Sequence, residues 1–373
     1  MIGRWAKKKA LRVLVVTGAL LLVAVALCGC ETISFYRQAM MGEYQLLADQ
    51  RSIEKITAAP RTNARLKQQL LLVEQLRKFA DAELKLPVDG HYRKYVDLHR
   101  PYVVWNVEAA REFSMESKSW WYPLVGRLEY RGYFSEATAM RSAAQLKKKG
   151  YEVYVGGATA YSTLGWFKDP VINTFIFQGT GGLAETLFHE LAHQRVFARG
   201  DEDFNEAFAT TVGQEGARRW LQARGTTGAY TNYVKEIEHT AQFALLVMST
   251  RRKLETLYGD VRTEEGKIKA SPGGSGLAPG ELRMRKQKLF EELRAEYQQL
   301  KATWGGANEY DDWFAEEINN ARLNSVAAYY DLVPAFQRLL AQNGGDLSRF
   351  YLEVERLAKL PKKRRHEQLQ SLR

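Results

Sequence analysis

Cysteine is almost absent from this chain, and its first thirty residues contain no acid. Of 373 residues only two are cysteine, Cys28 and Cys30. With both at the N-terminus, a disulfide framework is excluded. A structural zinc site built on thiolates is excluded with it. No internal repeat is present, which rules out a solenoid. No nucleic-acid motif accompanies the formal net charge of +11, so the charge by itself names no nucleic-acid partner. No apolar run reaches the roughly 20 residues of a comfortable membrane span. The nearest, "VLVVTGALLLVAVAL" from Val13 to Leu27, has fifteen.

That run is informative because of its flanks. Arg4, Lys7, Lys8, Lys9 and Arg12 precede it without an acid, so five of the eleven excess positive charges lie in the first twelve residues. A basic n-region before a short apolar h-region reads as a signal peptide; an uncleaved anchor helix is the alternative. The next four residues, "LCGC" (Leu27 to Cys30), resemble a bacterial lipobox, in which the last cysteine is lipidated and becomes the mature N-terminus. Cys28 departs from the Ala, Ser or Thr more often found there. The resemblance implies a signal peptide over 1–29, a lipid on Cys30 and a protein facing the periplasm. With Glu31 in place of Asp at the second mature position, it favours the outer membrane over the inner. Diacylglyceryl plus N-acyl chains anchor firmly where one chain is marginal. On an exported protein the C-terminal "KKRR" (Lys362 to Arg365) reads as a solvated end or a lipid-headgroup contact.

Residues 30–373 have the composition of a soluble globular protein, the whole chain being 45% hydrophobic and 26% charged. They read as one mostly helical α+β domain. Over 30–90, Leu66, Leu70, Val73, Leu76 and Phe79 form one helical stripe, with Thr62 or Asn63 as cap and Pro87 as stop. Over 91–180 aromatics are dense, and "PYVVWNV", "YPLVGRLEYRGYF" and "YEVYVGG" read as strands. A helix runs from a Ser135 cap to a Gly150 stop, giving a small mixed sheet with one crossover helix. Over 181–260 come a helix through residue 193, a second from about Asn205 to Arg224 and a long one from about Thr231 to Tyr258. The Gly- and Pro-containing stretch 270–280 reads as a surface loop. The region 281–360 reads as C-terminal helices, the chain being helical again from Trp313 to about Leu360.

The chemistry lies in "HELAHQRVFARGDEDFNEAFA", His189 to Ala209. Residues four apart share a helix face, so His189 and His193 present two imidazoles to one ion. Glu190 stands on the adjacent edge, where it reaches a water rather than the ion. Leu183, Leu187, Phe188, Leu191 and Ala192 make the helix apolar, and buried histidines need partners. A second, antiparallel helix would return Glu206 to the ion and complete a His2Glu set. Catalytic zinc takes three protein ligands and leaves one position for water. It lowers that water's pKa, and a nearby carboxylate moves the proton.

"HELAH" followed by "NEAFA" resembles the gluzincin metallopeptidases. The blocks "YRGYF", "AYSTLGWFKDPV", "LFHELAHQ", "FNEAFATTVGQEGARRWL" and "NNARLNSVAAYYDLVPAF" resemble a narrower group, the bacterial putative-aminopeptidase lipoproteins of gluzincin type. The resemblance implies a zincin-like core, with the HExxH helix packed on a Glu-bearing helix and a small mixed sheet. It implies one Zn2+ per chain held by His189, His193 and Glu206, with Glu190 as general base. The gap before Glu206 is shorter than in better-studied gluzincins. Thr210 stands where many have an Asp that orients a ligand histidine, leaving Glu185 or Glu215 to serve. Relatives often carry two cysteines near "WWYPLVGR", where this chain has Trp121 and Arg127.

The oxyanion of peptide hydrolysis needs a stabilising group. Tyr330 is the first candidate by resemblance, with Tyr329 and His239 as others. "AYSTLGWFKDPV" reads as a substrate-facing strand, with Tyr161 in it. Asp169 is the candidate anchor for a substrate α-amine, since the glutamate signature of membrane-alanyl aminopeptidases is absent. The expected function is a zinc metallopeptidase, specifically an aminopeptidase, acting on peptides and not on nucleic acid. The competing readings are a non-catalytic envelope scaffold and an amidohydrolase of cell-wall peptides.

Overall fold

The computed structural model describes residues 30–122, 126–160, 168–263, 267–271 and 274–372, with side chains from residue 34 onward. The signal-peptide reading of 1–29 and the substrate-contact reading of Tyr161 lie outside the described residues.

The chain is α+β and mostly helical. Helix α1 (Cys30–Ala48) comes first, then β1 (Arg51–Ser52), α2 (Ile53–Ala58) and α3 (Ala64–Ala82). Asn63 caps α3, its side-chain oxygen accepting from the Arg65 and Leu66 amides. Leu70, Val73 and Leu76 of the expected stripe are fully buried, while Leu66 and Phe79 pack at the core's margin.

The sheet region holds β2 (Lys94–Val96), β3 (Val104–Arg111), β4 (Trp120–Tyr122), β5 (Gly126–Leu128) and β6 (Tyr130–Tyr133). It continues with α4 (Glu136–Lys148), β7 (Tyr151–Ala158) and β8 (Val171–Ile172). Strand β3 is central, antiparallel to β6 on one side and β7 on the other. Helix α4 therefore crosses over β3, burying Ala139, Ala143 and Leu146 against Trp105, Val107 and Val153. Its stop is Gly150, at φ +77°. A second small sheet orders β1, β2 and β8, with β2 and β8 parallel. Strands β4 and β5 form a hairpin in which Trp121 directly faces Arg127.

Helices α5 (Gly179–Arg195), α6 (Glu202–Ala223) and α7 (Thr227–Tyr258) follow. Then come the hairpin β9 (Val261–Arg262) and β10 (Ile268–Lys269), and helix α8 (Pro279–Thr303). Helix α6 begins three residues before the expected Asn205. Glu202 and Asp203 occupy its first turn, where acids favour the positive end of the helix dipole. The expected C-terminal helices are α9 (Asp311–Ala315), α10 (Asn320–Tyr330), α11 (Val333–Gln342), α12 (Leu347–Ala358) and α13 (Lys362–Gln370). Pro334, the pair Gly344 and Gly345 in left-handed conformation, and Pro361 sit at the last three breaks. Asn320 starts α10 by donating to the carbonyls of Arg111, Glu112 and Ser114, which fastens α10 to the end of β3.

The largest core joins α3, α5, α6, α11 and α12 through Leu76, Leu187, Phe208, Phe336 and Phe350. A second joins α7, α8 and α10 through Val247, Leu293 and Leu323. The C-terminal basic run is solvated only in part. Arg364 is exposed, but Arg365 is about 95% buried and, with Lys362, pairs with Asp201 inside the protein.

Candidate metal centre

Helix α5 buries Leu183, Leu187, Phe188 and Leu191 and carries His189, Glu190 and His193. It ends at Val196, where the backbone turns extended. Six residues later α6 begins. Asn205 shapes this short connection: its amide accepts from the Ala198 N–H at 2.7 Å and donates to the Ala198 carbonyl at 2.9 Å. Asp201 fixes the connection from the other side. Buried to 1% exposure, its carboxylate meets Arg365 at 2.5 Å, His366 at 2.9 Å and Lys362 at 3.0 Å. Burial alone would favour the neutral acid; these partners hold the Asp201 carboxyl well below the usual range.

Returning along α5, α6 comes unusually close. A Cβ on Gly213 would lie 2.8 Å from the Glu185 carbonyl oxygen and 3.1 Å from the His189 Cβ. One on Gly216 would lie 2.7 Å from the Phe188 ring. These glycines let the two backbones approach and bring Glu206 opposite the histidines.

The three side chains converge. His189 Nε2 is 3.2 Å from His193 Nε2 and 3.3 Å from Glu206 Oε2, and His193 Nε2 is 3.5 Å from Glu206 Oε1. Tetrahedral ligands at zinc's bond lengths of about 2.0–2.1 Å stand about 3.3 Å apart. The donor set therefore fits one zinc-sized ion, and among the described residues it is the one group of three such donors within reach of one ion.

Electrostatics set the protonation states of the metal-free protein. Burial opposes charge on His189, but the hydrogen bond and charge of Glu206 outweigh it and raise its pKa. Burial pushes His193 down to about 4, so it is neutral at pH 7. Glu206 is held below the ordinary carboxylate range, because His193 and His189 overcome its burial. Glu190 makes no hydrogen bond or ion pair among the described residues. Its burial pushes its pKa up to about 7, with Glu206 and Asp169 adding repulsion against the pull of His189. A carboxyl with that value both accepts and releases a proton near neutrality.

The surrounding groups divide by position. Glu185 is the carboxylate beside His189; it accepts from the Tyr233 hydroxyl at 2.7 Å and bonds Gln214. Glu215 is instead occupied by Arg218 and Arg219 at 2.8 and 2.6 Å. The Nδ1 of His193 is buried without a hydrogen-bond partner among the described residues, the place where a ligand histidine ordinarily gains an orienting acceptor. Asp169 is 3% exposed. Its carboxylate lies 3.3 Å from His91 Nδ1 and accepts from Gln194 at 3.5 Å. Its charge acts on Glu190 and His193 rather than facing open solvent.

The two tyrosines of α10 part company. Burial chiefly raises the Tyr330 pKa, and its charged neighbours are Glu185 and Tyr310. Tyr329 is 39% exposed, and the charge of Glu206 is the largest influence raising it. His239 is held elsewhere, stacked on Trp304 at 4.3 Å with Nδ1 3.1 Å from Glu309. Tyr92 was not legible from the sequence. It is buried in a left-handed backbone conformation, φ +56°, with its phenol raised by burial and by Glu190 and Asp169. A non-glycine residue held there beside a reactive carboxylate is the signal that singles it out.

A second acidic group borders the ligand set. Glu202 lies one turn before Glu206, its carboxylate accepting from the Glu129 amide at 3.2 Å. Burial, Glu129 and Glu206 hold it far above the usual range. Beyond it opens a small polar pocket whose walls include Glu129, Asp203, Arg251, Lys267, Asn324 and Ala328. The ligand set itself does not line that pocket.

A family model described as "Putative aminopeptidase" matches residues 34–369. No curated protein and no solved structure matches the chain.

Proposed function

The chain belongs to the putative-aminopeptidase family, and from that premise we propose that it is a zinc-dependent aminopeptidase with its active centre at His189, His193 and Glu206. The observation that carries the reading is the convergence of these three donors beside Glu190, a half-buried carboxyl with no hydrogen bond or ion pair among the described residues.

A bound zinc would supply Lewis acidity and lower the pKa of a water. Glu190 takes the water's proton as it attacks the peptide carbonyl and returns it to the leaving amine. Tyr329, 39% exposed and with its phenol under the charge of Glu206, is the better candidate than Tyr330 to donate to the developing oxyanion. Glu185, braced by Tyr233 and Gln214, orients His189. Glu202, one turn before Glu206, is the acidic group offered to a substrate α-ammonium, whose charge would favour its ionised form; Asp169, the anchor expected from the sequence, is buried against His91 and Gln194. In this reading the protein is anchored through a lipid on Cys30 and faces the periplasm, with the outer membrane favoured by Glu31. Among the described residues no helix is long and apolar enough to cross a membrane.

The test is the zinc content of the purified protein beside a Glu206→Ala variant, together with hydrolysis of matched peptides carrying free or acetylated N-termini. One zinc per parent chain, weaker retention in the variant and cleavage of the free-amine peptides alone are expected. Absence of zinc after reconstitution would overturn the hydrolase reading. Cleavage of both peptide sets would replace aminopeptidase by endopeptidase, and cleavage of peptidoglycan fragments alone would replace peptidase by cell-wall amidohydrolase.

A further inference from the structure

Helix α1 is apolar on two opposite faces, and the protein covers one. Phe35, Gly42 and Leu46 point inward. A Cβ on Gly42 would collide with the Phe134 ring, and the Arg131 guanidinium sits 4.2 Å over the Phe35 ring. At about 100° per residue the centre of this face lies roughly opposite Tyr36, Met40, Tyr44 and Met41. Those four are 39, 67, 66 and 55% exposed, and the exposed Arg37 lies among them. A helix apolar all round belongs where both faces are covered. A contiguous exposed apolar stripe marks a contact surface.

The sequence says what lies beside it. Cys30 is the first residue of α1 and follows the apolar run Val13 to Leu27 within three residues. Whether that run is removed and Cys30 lipidated, or remains as an anchor, a bilayer surface begins at the start of this helix. At 1.5 Å per residue the stripe runs from about 9 Å to about 21 Å along the helix from Cys30, close enough to lie on the surface that begins there. Tyrosine suits such an interface, with its apolar ring inward and its hydroxyl among headgroups. Arg37 adds a cation for lipid phosphate.

We propose that the Tyr36–Met40–Met41–Tyr44 face of α1 lies on the bilayer surface, so that the protein is held in one orientation rather than swinging from an N-terminal tether. This rests on the export reading of the N-terminus and is independent of the metal centre.

The molecule carries its own controls. Met284 is as exposed as Met40, both at 67%, and Met140 at 54% matches Met41 at 55%. The full chain, reconstituted in phosphatidylethanolamine–phosphatidylglycerol vesicles, is treated with the membrane-impermeant oxidant chloramine-T, and sulfoxide is followed by mass spectrometry. Met40 and Met41 are expected to oxidise about tenfold more slowly than Met284 and Met140. A photoactivatable diazirine phospholipid in the same vesicles is expected to label the tryptic peptide Gln38 to Arg51. Equal oxidation within each matched pair would overturn the proposal. Slow oxidation of Met40 without lipid labelling would overturn it too, because a protein would then cover the face.

Discussion

Gly213 and His189 lie on different helices with no room for a methyl group between them: a Cβ at 213 would stand 3.1 Å from the His189 Cβ and 2.8 Å from the Glu185 carbonyl oxygen. The second contact is backbone, so α5 and α6 would have to part. Gly213→Ala is expected to cost about 1–3 kcal/mol of stability and to weaken zinc binding, because the same displacement separates Glu206 from the histidines. Thermal unfolding and zinc titration of the two proteins check this. Unchanged affinity in a destabilised variant would show that Gly213 serves packing alone.

Glu190 tests the division of labour within the centre. It lies outside the ligand set, so Glu190→Gln should keep the zinc content of the parent. It should lower kcat by about 10²–10⁴-fold, the contribution of a general base. Loss of metal along with activity would make Glu190 a ligand and displace the three-donor assignment.

Much of this centre was legible because its signal is local. His189 and His193 are one helical turn apart, and their apolar surroundings are on the same helix, so the face they share follows from spacing. The β3–β6–β7 sheet was legible for the same reason, each strand being a short aromatic or β-branched run. What failed was long-range. Asp201 and Arg365 are 164 residues apart, and nothing near "KKRR" reveals that part of its charge is spent inside the protein. Tyr329 and Tyr330 are adjacent on one helix, and only the packing of α10 leaves Tyr329 exposed under the charge of Glu206 and Tyr330 packed against the core.

The buried Asp201 latch gives a prediction away from the chemistry. Arg365→Met removes the 2.5 Å partner of Asp201 and keeps much of the side-chain volume. Breaking a buried pair from one side costs about 3–5 kcal/mol. The depressed Asp201 pKa contributes stability above the unfolded value and loses it as pH falls. The parent should therefore unfold in acid over a range in which the variant changes less. Because Asp201 fixes the connection into α6, zinc affinity should also drop, by about 10–100-fold as for other outer supports of a metal site. Urea unfolding against pH and zinc competition assays measure both.

The metal-free protein should show opposing pH effects at its centre. Glu190 is raised from 4.5 to about 7. Its contribution is fully present below about 4.5 and disappears as pH rises through 7, amounting to at most about 3 kcal/mol. His193 is lowered from 6.5 to about 4, so its contribution is present above 6.5 and disappears as pH falls through 4. Between these limits the two largely cancel, and the parent alone is uninformative. Subtracting the metal-free Glu190→Gln stability isolates the first effect: the parent should lose stability relative to the variant from pH 5 to 8. Parallel curves would mean that Glu190 ionises normally in the folded chain.

Tyr329 and Tyr330 provide the sharpest comparison, because the substitutions are identical and the positions adjacent. Tyr329 feels Glu206 most strongly, and Tyr330 is surrounded by Glu185 and Tyr310. If Tyr329 donates to the oxyanion, that bond strengthens only as charge develops, so its loss acts on kcat and not on substrate binding. Tyr329→Phe should lower kcat by about 10²–10³-fold with KM little changed. Tyr330→Phe should leave kcat near the parent value and show its effect in thermal stability, through lost packing between α10 and the core. The reverse pattern in kcat would mean that α10 turns on substrate binding and presents Tyr330 to the reacting bond.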